Sequence, residues 1–295
     1  MTSAPAISSI SGKTRLIGLF GSPVDHSRSP VMQNSTFEAM GLDYVYLAFD
    51  VGGDHVEEAV SALRALNMRG ANVTMPLKRA IIPHLDALSE AAELAGAVNV
   101  IVNDEGKLTG QISDGEGFML SLRDAGHDVV GQRMVILGAG GAAIAVAVQA
   151  ALDGVSEIVL FNRRDAFFEE ARGLIERLQQ RDLPIRLADL EDHALLAEAI
   201  RDADILVNAT PVGMEGSLSK TALPDLELLR AELLVCDLIY VPRETRLLRE
   251  AAARGCRTVP GTGMQLWQAA PAFRLWTGVD MDMTVARQAL YGADT

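Results

Sequence analysis

Cysteine is almost missing from this chain: 295 residues carry two, Cys236 and Cys256, both in apolar surroundings and neither in a CxxC or Cys/His cluster. That excludes a disulfide framework and leaves buried, reduced thiols as the expectation. Five histidines, His26, His55, His84, His127 and His193, show no HxxxH or HxH spacing, so no metal site is expected. No run reaches the roughly 18–20 apolar residues that cross a bilayer, because RMVILGAGGAAIAVAVQAAL is broken by glycine and polar residues. The opening MTSAPAISSISGKTRLIGLFG lacks the basic start and apolar core of a secretory leader, and a cytoplasmic protein is expected. Positive charge is also short. With 26 Lys and Arg against 39 Asp and Glu, the net charge of −13 argues against nucleic acid or an anionic membrane as partner. A small anionic ligand remains compatible, since exposed charges beyond about 8 Å are largely screened at physiological salt.

What is present is length enough for two domain cores and an alternation of strands and helices. TRLIGLFG, SPVMQNSTFEAMG, DYVYLAFDV, HVEEAVSALRALNMRG and ANVTM read as a β-α-β-α-β series, hence a mostly parallel sheet covered by helices. Helices are expected over LKRAIIPHLDALSEAAELAG, then two strands at AVNVIVND and LTGQIS, then a connecting helix in DGEGFMLSLRDAG. A second series starts at QRMVILGAGGAAIAVAVQAALDGVSEIVLFNRRD, a βαβ unit, and continues through strands at IRLADL, DILVNAT and LLVCDLIY. The fold class is therefore α/β with two domains, the second a doubly wound, Rossmann-like sheet. The last helices are expected to return to the first domain. The boundaries read as 1–114 completed by 264–295, and 115–263.

Two sites stand out. GAGGAA, Gly138 to Ala143, fits GxGxxA between a strand and a helix. Gly138 permits the turn, Gly140 the approach of a pyrophosphate, and a small residue at 143 the packing of helix on strand. Ala139, Gly141 and Ala142 complete the phosphate-facing turn, where a helix N-terminus offers free N–H groups. FNRRD ends the next strand. Its Asn162, Arg163, Arg164 and Asp165 stand where an adenosine ribose should lie, Asp165 to accept from the ribose hydroxyls and the arginines to pair a 2′-phosphate. NAD is the expected cofactor and NADP is admitted by the arginines, although Asp165 lies farther along than the usual figure of about 20 residues. On the first domain, GSPVDHSRSP places Ser27 and Ser29 after a strand and before a proline-started helix. Hydroxyls there suit a carboxylate, or Ser29 caps the helix. In ANVTMPLKRA, Lys78 falls at a helix start, where a cation opposes the helix dipole.

GSPVDHSRSP, ANVTMPLK, AGAVNV, SDGEG, GAGGAA, NATPVGM and GTGMQLWQAA occur in the order of the signature segments of the shikimate dehydrogenase family, which the chain resembles from about residue 14 onward. FNRRDAFFEEA, GMQLWQ and LWTG are most similar to its bifunctional quinate/shikimate branch. The resemblance implies a nicotinamide-dependent oxidoreductase acting on a small hydroxylated ring carboxylate. It implies Lys78 as acid/base with Asp114 as its carboxylate partner across a cleft. Ser27 and Ser29 would hold the substrate carboxylate, Thr74, Asn99 and Gln268 its ring hydroxyls, while Tyr240 and Gly261 approach substrate and nicotinamide. Gly115, Gly117 and Gly261 to Gly263 fall where the chain should hinge. Ile112 replaces the asparagine that most members carry two residues before Asp114, and Pro211 and Val241 replace the lysine and asparagine of the quinate branch. Shikimate, quinate and an amino analogue therefore all stay open, beside a dinucleotide-binding sensor without turnover. A homodimer is compatible with the sequence.

Overall fold

The computed structural model describes residues 10–292. The leader reading falls in part on residues 1–9, outside the described residues. Two compact units divide the chain, one running to Ser113 and resuming at Gln268, the other Asp114–Trp267.

The first unit holds strands β1 (Arg15–Gly21), β2 (Tyr44–Asp50), β3 (Gly70–Val73), β4 (Ala87–Leu88), β5 (Val100–Asp104) and β6 (Lys107–Gln111), in the order β2-β1-β3-β5-β6-β4. Only β5 is reversed: it pairs antiparallel with β3 and β6, while β1–β2, β1–β3 and β4–β6 are parallel. Helices α1 (Ser29–Ala39), α2 (Val56–Ala65), α3 (Leu77–Ala80) and α4 (Glu90–Ala95) connect them. The expected helices over 77–96 need correction. The α3 segment is a single turn, Pro83 interrupts the pattern, and 87–88 pair with β6 as β4. Asp86 draws the segment to the sheet: its carboxylate accepts from Leu108 N at 2.7 Å and from Arg64 Nη2 at 2.9 Å.

The second unit is a wholly parallel sheet of β7 (Arg133–Leu137), β8 (Glu157–Asn162), β9 (Ile185–Asp189), β10 (Ile205–Asn208), β11 (Leu234–Asp237) and β12 (Arg257–Val259), ordered β12-β11-β10-β7-β8-β9. This is the dinucleotide-fold order, with its switch point between β7 and β10. RMVIL, ILVN and LVCD are near-continuous apolar runs because central parallel strands are covered on both faces. Around it lie α5 (Asp114–Asp124), α6 (Gly141–Leu152), α7 (Ala166–Gln179), α8 (His193–Asp202), α9 (Arg246–Ala253) and α10 (Thr262–Trp267). The apolar character of α6 extends nearly all round, since it packs on β7, β8 and α5. A Cβ on Gly115 would stand 2.2 Å from Ala145 O, so this glycine serves the close approach of α5 to α6. α10 packs on α5, which is why 264–267 and Asp114 fall in this unit and not, as the sequence boundaries had them, in the first.

The chain then rejoins the first unit through α11 (Ala269–Thr277) and α12 (Met283–Tyr291), α11 against β5 and α12 against α1. Trp276, 1% exposed, donates Nε1–H to Ile101 O at 2.9 Å, and Phe273 stacks on Phe37 at 5.1 Å between ring centres. Arg69 clamps the helix end. Its guanidinium donates to Trp276 O, Leu275 O and Asn103 O at 2.7, 2.8 and 2.7 Å.

Candidate functional site

In the first unit the ends of several strands bring the expected substrate residues together. Ser27 and Ser29 follow β1, Thr74 and Lys78 follow β3, and Asn99 immediately precedes the reversed β5, so all five stand at one edge of the sheet. Backbone bonds tie that edge: Thr74 N to Phe20 O at 2.8 Å, Val73 N to Asn99 O at 2.8 Å, and Val98 N to Lys78 O at 2.8 Å. Ser27, Ser29, Thr74 and Lys78 are half-buried; Asn99 is buried. Gln268 precedes α11 in the same unit.

The capping alternative for Ser29 is corrected by its geometry. Ser29 is the first residue of α1, and Ser27 Oγ accepts the Ser29 N–H at 3.3 Å. No side chain caps α1, and the Ser29 hydroxyl instead acts on Tyr46, whose ionisation it favours. Tyr46 donates its hydroxyl to Asn72 Oδ1 at 2.7 Å, and Asn72 Nδ2 donates to Asn99 O at 3.0 Å. Asn99 Nδ2 donates in turn to Ser113 Oγ at 3.1 Å, and Asn99 Oδ1 accepts Ser113 N–H at 2.8 Å. A continuous polar chain thus links Tyr46, Asn72, Asn99 and Ser113, the residue before Asp114. Burial pushes the Tyr46 hydroxyl well above its usual range, with the Ser29 bond pulling the other way, so it stays a neutral donor. Tyr46 and Asn72 escape the sequence reading. Their signal was a tyrosine inside a strand, whose hydroxyl needs a partner once buried. Ile112, the departure before Asp114, is 8% exposed and belongs to the core.

The second unit places its expected residues at the carboxyl ends of its strands. Gly138 has φ +108°, open to glycine but strained for other residues, and a Cβ there would lie 2.9 Å from Ala209 O. Around Gly140 and Gly141 nothing lies within 4 Å of a Cβ position, and Gly140 caps α6 with no side-chain bond. This open turn, with Ala139 and Ala142, fits a dinucleotide pyrophosphate on the helix N-terminus. At the end of β8, Asp165 caps α7: its Oδ1 accepts Phe168 N–H at 3.1 Å and Asn162 Nδ2 at 2.9 Å. Its other oxygen is left for a further donor. Arg164 is committed elsewhere, donating to Asp189 Oδ2 at 2.6 Å and lying over the Phe168 ring. The Glu191 N–H, then Arg164, hold the Asp189 carboxyl below its ordinary range. Arg163 is exposed. Tyr240 follows β11 and is 45% exposed; Gly261 packs on the backbone there, where a Cβ would meet Leu238 O at 2.4 Å. Cys236 and Cys256 are free and buried, as expected. Among the described residues no group of three or more His, Cys, Asp or Glu could hold a metal, and no helix is long and apolar enough to cross a membrane.

These features define a two-unit α/β protein with a dinucleotide-type sheet in one unit and a pole of hydroxyl, amide and lysine side chains in the other. The patterns of the shikimate dehydrogenase substrate binding domain and of the shikimate 5′-dehydrogenase C-terminal domain match residues 19–101 and 261–291. Shikimate dehydrogenase (NADP(+)) of Listeria monocytogenes is 50% identical over 283 residues, 96% of this chain and 97% of the relative. The chain belongs to the shikimate dehydrogenase family. The crystal structure of shikimate 5-dehydrogenase from Listeria monocytogenes in complex with shikimate and NAD superposes with a TM-score of 0.94 at 49% identity, covering 96% of this chain and 99% of that one. Quinate dehydrogenase from Corynebacterium glutamicum in complex with NAD gives 0.84 at 33% identity, over 94% and 98% of the two chains. The family resemblance and the two-domain α/β class expected from the sequence are both borne out.

Proposed function

We propose that this protein is an NAD(P)-dependent dehydrogenase that reversibly oxidises a ring hydroxyl of shikimate, quinate or both. The observation that carries the reading is the gathering of Ser27, Ser29, Thr74, Lys78 and Asn99 at one sheet edge, with Asn99 held by the polar chain through Tyr46 and Asn72. When bound, the nicotinamide supplies the hydride acceptor. The Ser27 and Ser29 hydroxyls hold the substrate carboxylate, and Thr74, Asn99 and Gln268 fix the ring hydroxyls. Lys78 Nζ takes the hydroxyl proton as the hydride leaves the same carbon, giving the ketone, and returns it in the reverse direction. Asp114 is the acid/base partner that the family resemblance assigns to Lys78. On the cofactor side, Gly138 to Ala142 seat the pyrophosphate, the uncommitted oxygen of Asp165 accepts from the adenosine ribose, and Arg163 is placed for a 2′-phosphate. Tyr240 and Gly261 border the nicotinamide. Half-burial of the serine hydroxyls beside apolar strands favours a ligand with one carboxylate on a compact, hydroxylated body.

The test is a steady-state assay of the purified protein offering shikimate and quinate with NAD and with NADP. Reduced cofactor formation with at least one of the two acids is expected. Binding of both ligands without turnover would instead support a sensor.

A further inference from the structure

Asp237, the last residue of β11, is 1% exposed and is the only fully buried carboxylate among the described residues. Buried charges are ordinarily paired with an opposite charge. Among the described residues no Lys, Arg or His pairs with Asp237; its partners are neutral donors. Oδ1 accepts from Asn208 Nδ2 and Ile239 N, each at 3.0 Å, and Oδ2 accepts from Thr245 Oγ1 at 2.7 Å. Three donors point at its two oxygens, and hydrogen bonds of this kind favour the charged form. Burial pulls the other way, pushing its carboxyl above the usual range against those three bonds.

Asp237 also joins two loops. Asn208, its register partner across the sheet, accepts from Thr210 N at 3.0 Å and Thr210 Oγ1 at 2.7 Å, which fixes the turn after β10. Thr245 caps α9 through Leu248 N at 3.3 Å, which fixes the end of the segment carrying Tyr240. Both loops leave the carboxyl ends of β10 and β11. The glycine turn sits on the other half of the sheet, so β10 and β11 belong to the half that receives the nicotinamide mononucleotide.

We infer that Asp237 is a positioning residue whose uncompensated buried charge favours the oxidised cofactor, with its positive ring, over the neutral reduced form. The inference rests on the cofactor reading above. Electrostatic interactions act further through a low-dielectric interior than through water, so a fixed anion within this half of the sheet discriminates between the two rings without touching either.

Equilibrium titration of NAD+ and NADH, by calorimetry and by nicotinamide fluorescence, tests this on the wild type, Asp237→Asn and Thr245→Val. Asp237→Asn keeps size and shape and removes the charge; it should weaken NAD+ by ~3- to 10-fold more than NADH. Thr245→Val keeps the charge and loses one bond, and should move both forms alike. Should the amide fail to fold, Asp237→Ser measures the same ratio. Equal changes for both forms in the neutral variants, or an equally large ratio change in Thr245→Val, would overturn the inference while leaving the cofactor reading intact. A wild type that binds neither form overturns both.

Discussion

Asp165 shows how one side chain can satisfy two requirements. Its first oxygen caps α7 and receives Asn162, and its second is left for a ribose. Replacement by alanine would therefore confound cofactor contact with loss of a helix cap, which costs about 1 kcal/mol. Asparagine caps as well as aspartate but lacks the charge. Asp165→Asn should keep the melting temperature and weaken NAD more than NADP, read from the two KM values; equal weakening would remove Asp165 from the ribose. At this scale the motif residues were legible because each is a residue type with a special capacity: a glycine at φ +108°, hydroxyls after a strand, a lysine at a helix start. Tyr46 and Asn72 were not, because a buried tyrosine announces a need for a partner without naming it. Lys78 was found for an incomplete reason. α3 is four residues long, too short for the aligned dipole that made a cation there look anomalous.

Among the elements, the sequence hid two strands, the three-residue β12 and the two-residue β4. Two residues carry no periodicity, and their pairing with β6 depends on Asp86, which binds Leu108 of one neighbour and Arg64 of α2. The Leu108 N–H first, and then Arg64, hold the Asp86 carboxyl below its usual range. A lowered carboxylate contributes stability that is present above the unfolded-state value and lost as pH falls through the folded one. Asp86→Asn should accordingly lower the melting temperature at pH 7, with the gap to wild type closing once pH drops below the ordinary carboxylate range. A gap that persists unchanged into acid would mean that shape, not charge, is what Asp86 provides. The other elements of the second unit were read well for the opposite reason: buried parallel strands read as continuous apolar runs, and amphipathic helices impose their period over many residues.

For the whole molecule, the sequence disclosed two cores and the return of the chain, since α/β alternation restarts at the strand that leads into the glycine turn and the last helices carry an apolar face. The unit boundaries were legible only approximately. They are set by α10 packing on α5, a contact that no local pattern contains. The catalytic proposal lives at this scale, because it assigns the base to Lys78 and the partner carboxylate to Asp114, residues far apart in the chain. Residues that act as one device lose their effect together, so their substitutions are strongly non-additive.

The most direct measurement is a double-mutant cycle on turnover of the ring acid, with Lys78→Ala, Asp114→Asn and the pair, at saturating cofactor. Lys78→Ala should lower kcat by roughly 10²- to 10⁴-fold, and adding Asp114→Asn should change it little further. Unaltered turnover in Lys78→Ala, or losses that simply multiply in the double variant, would contradict the account.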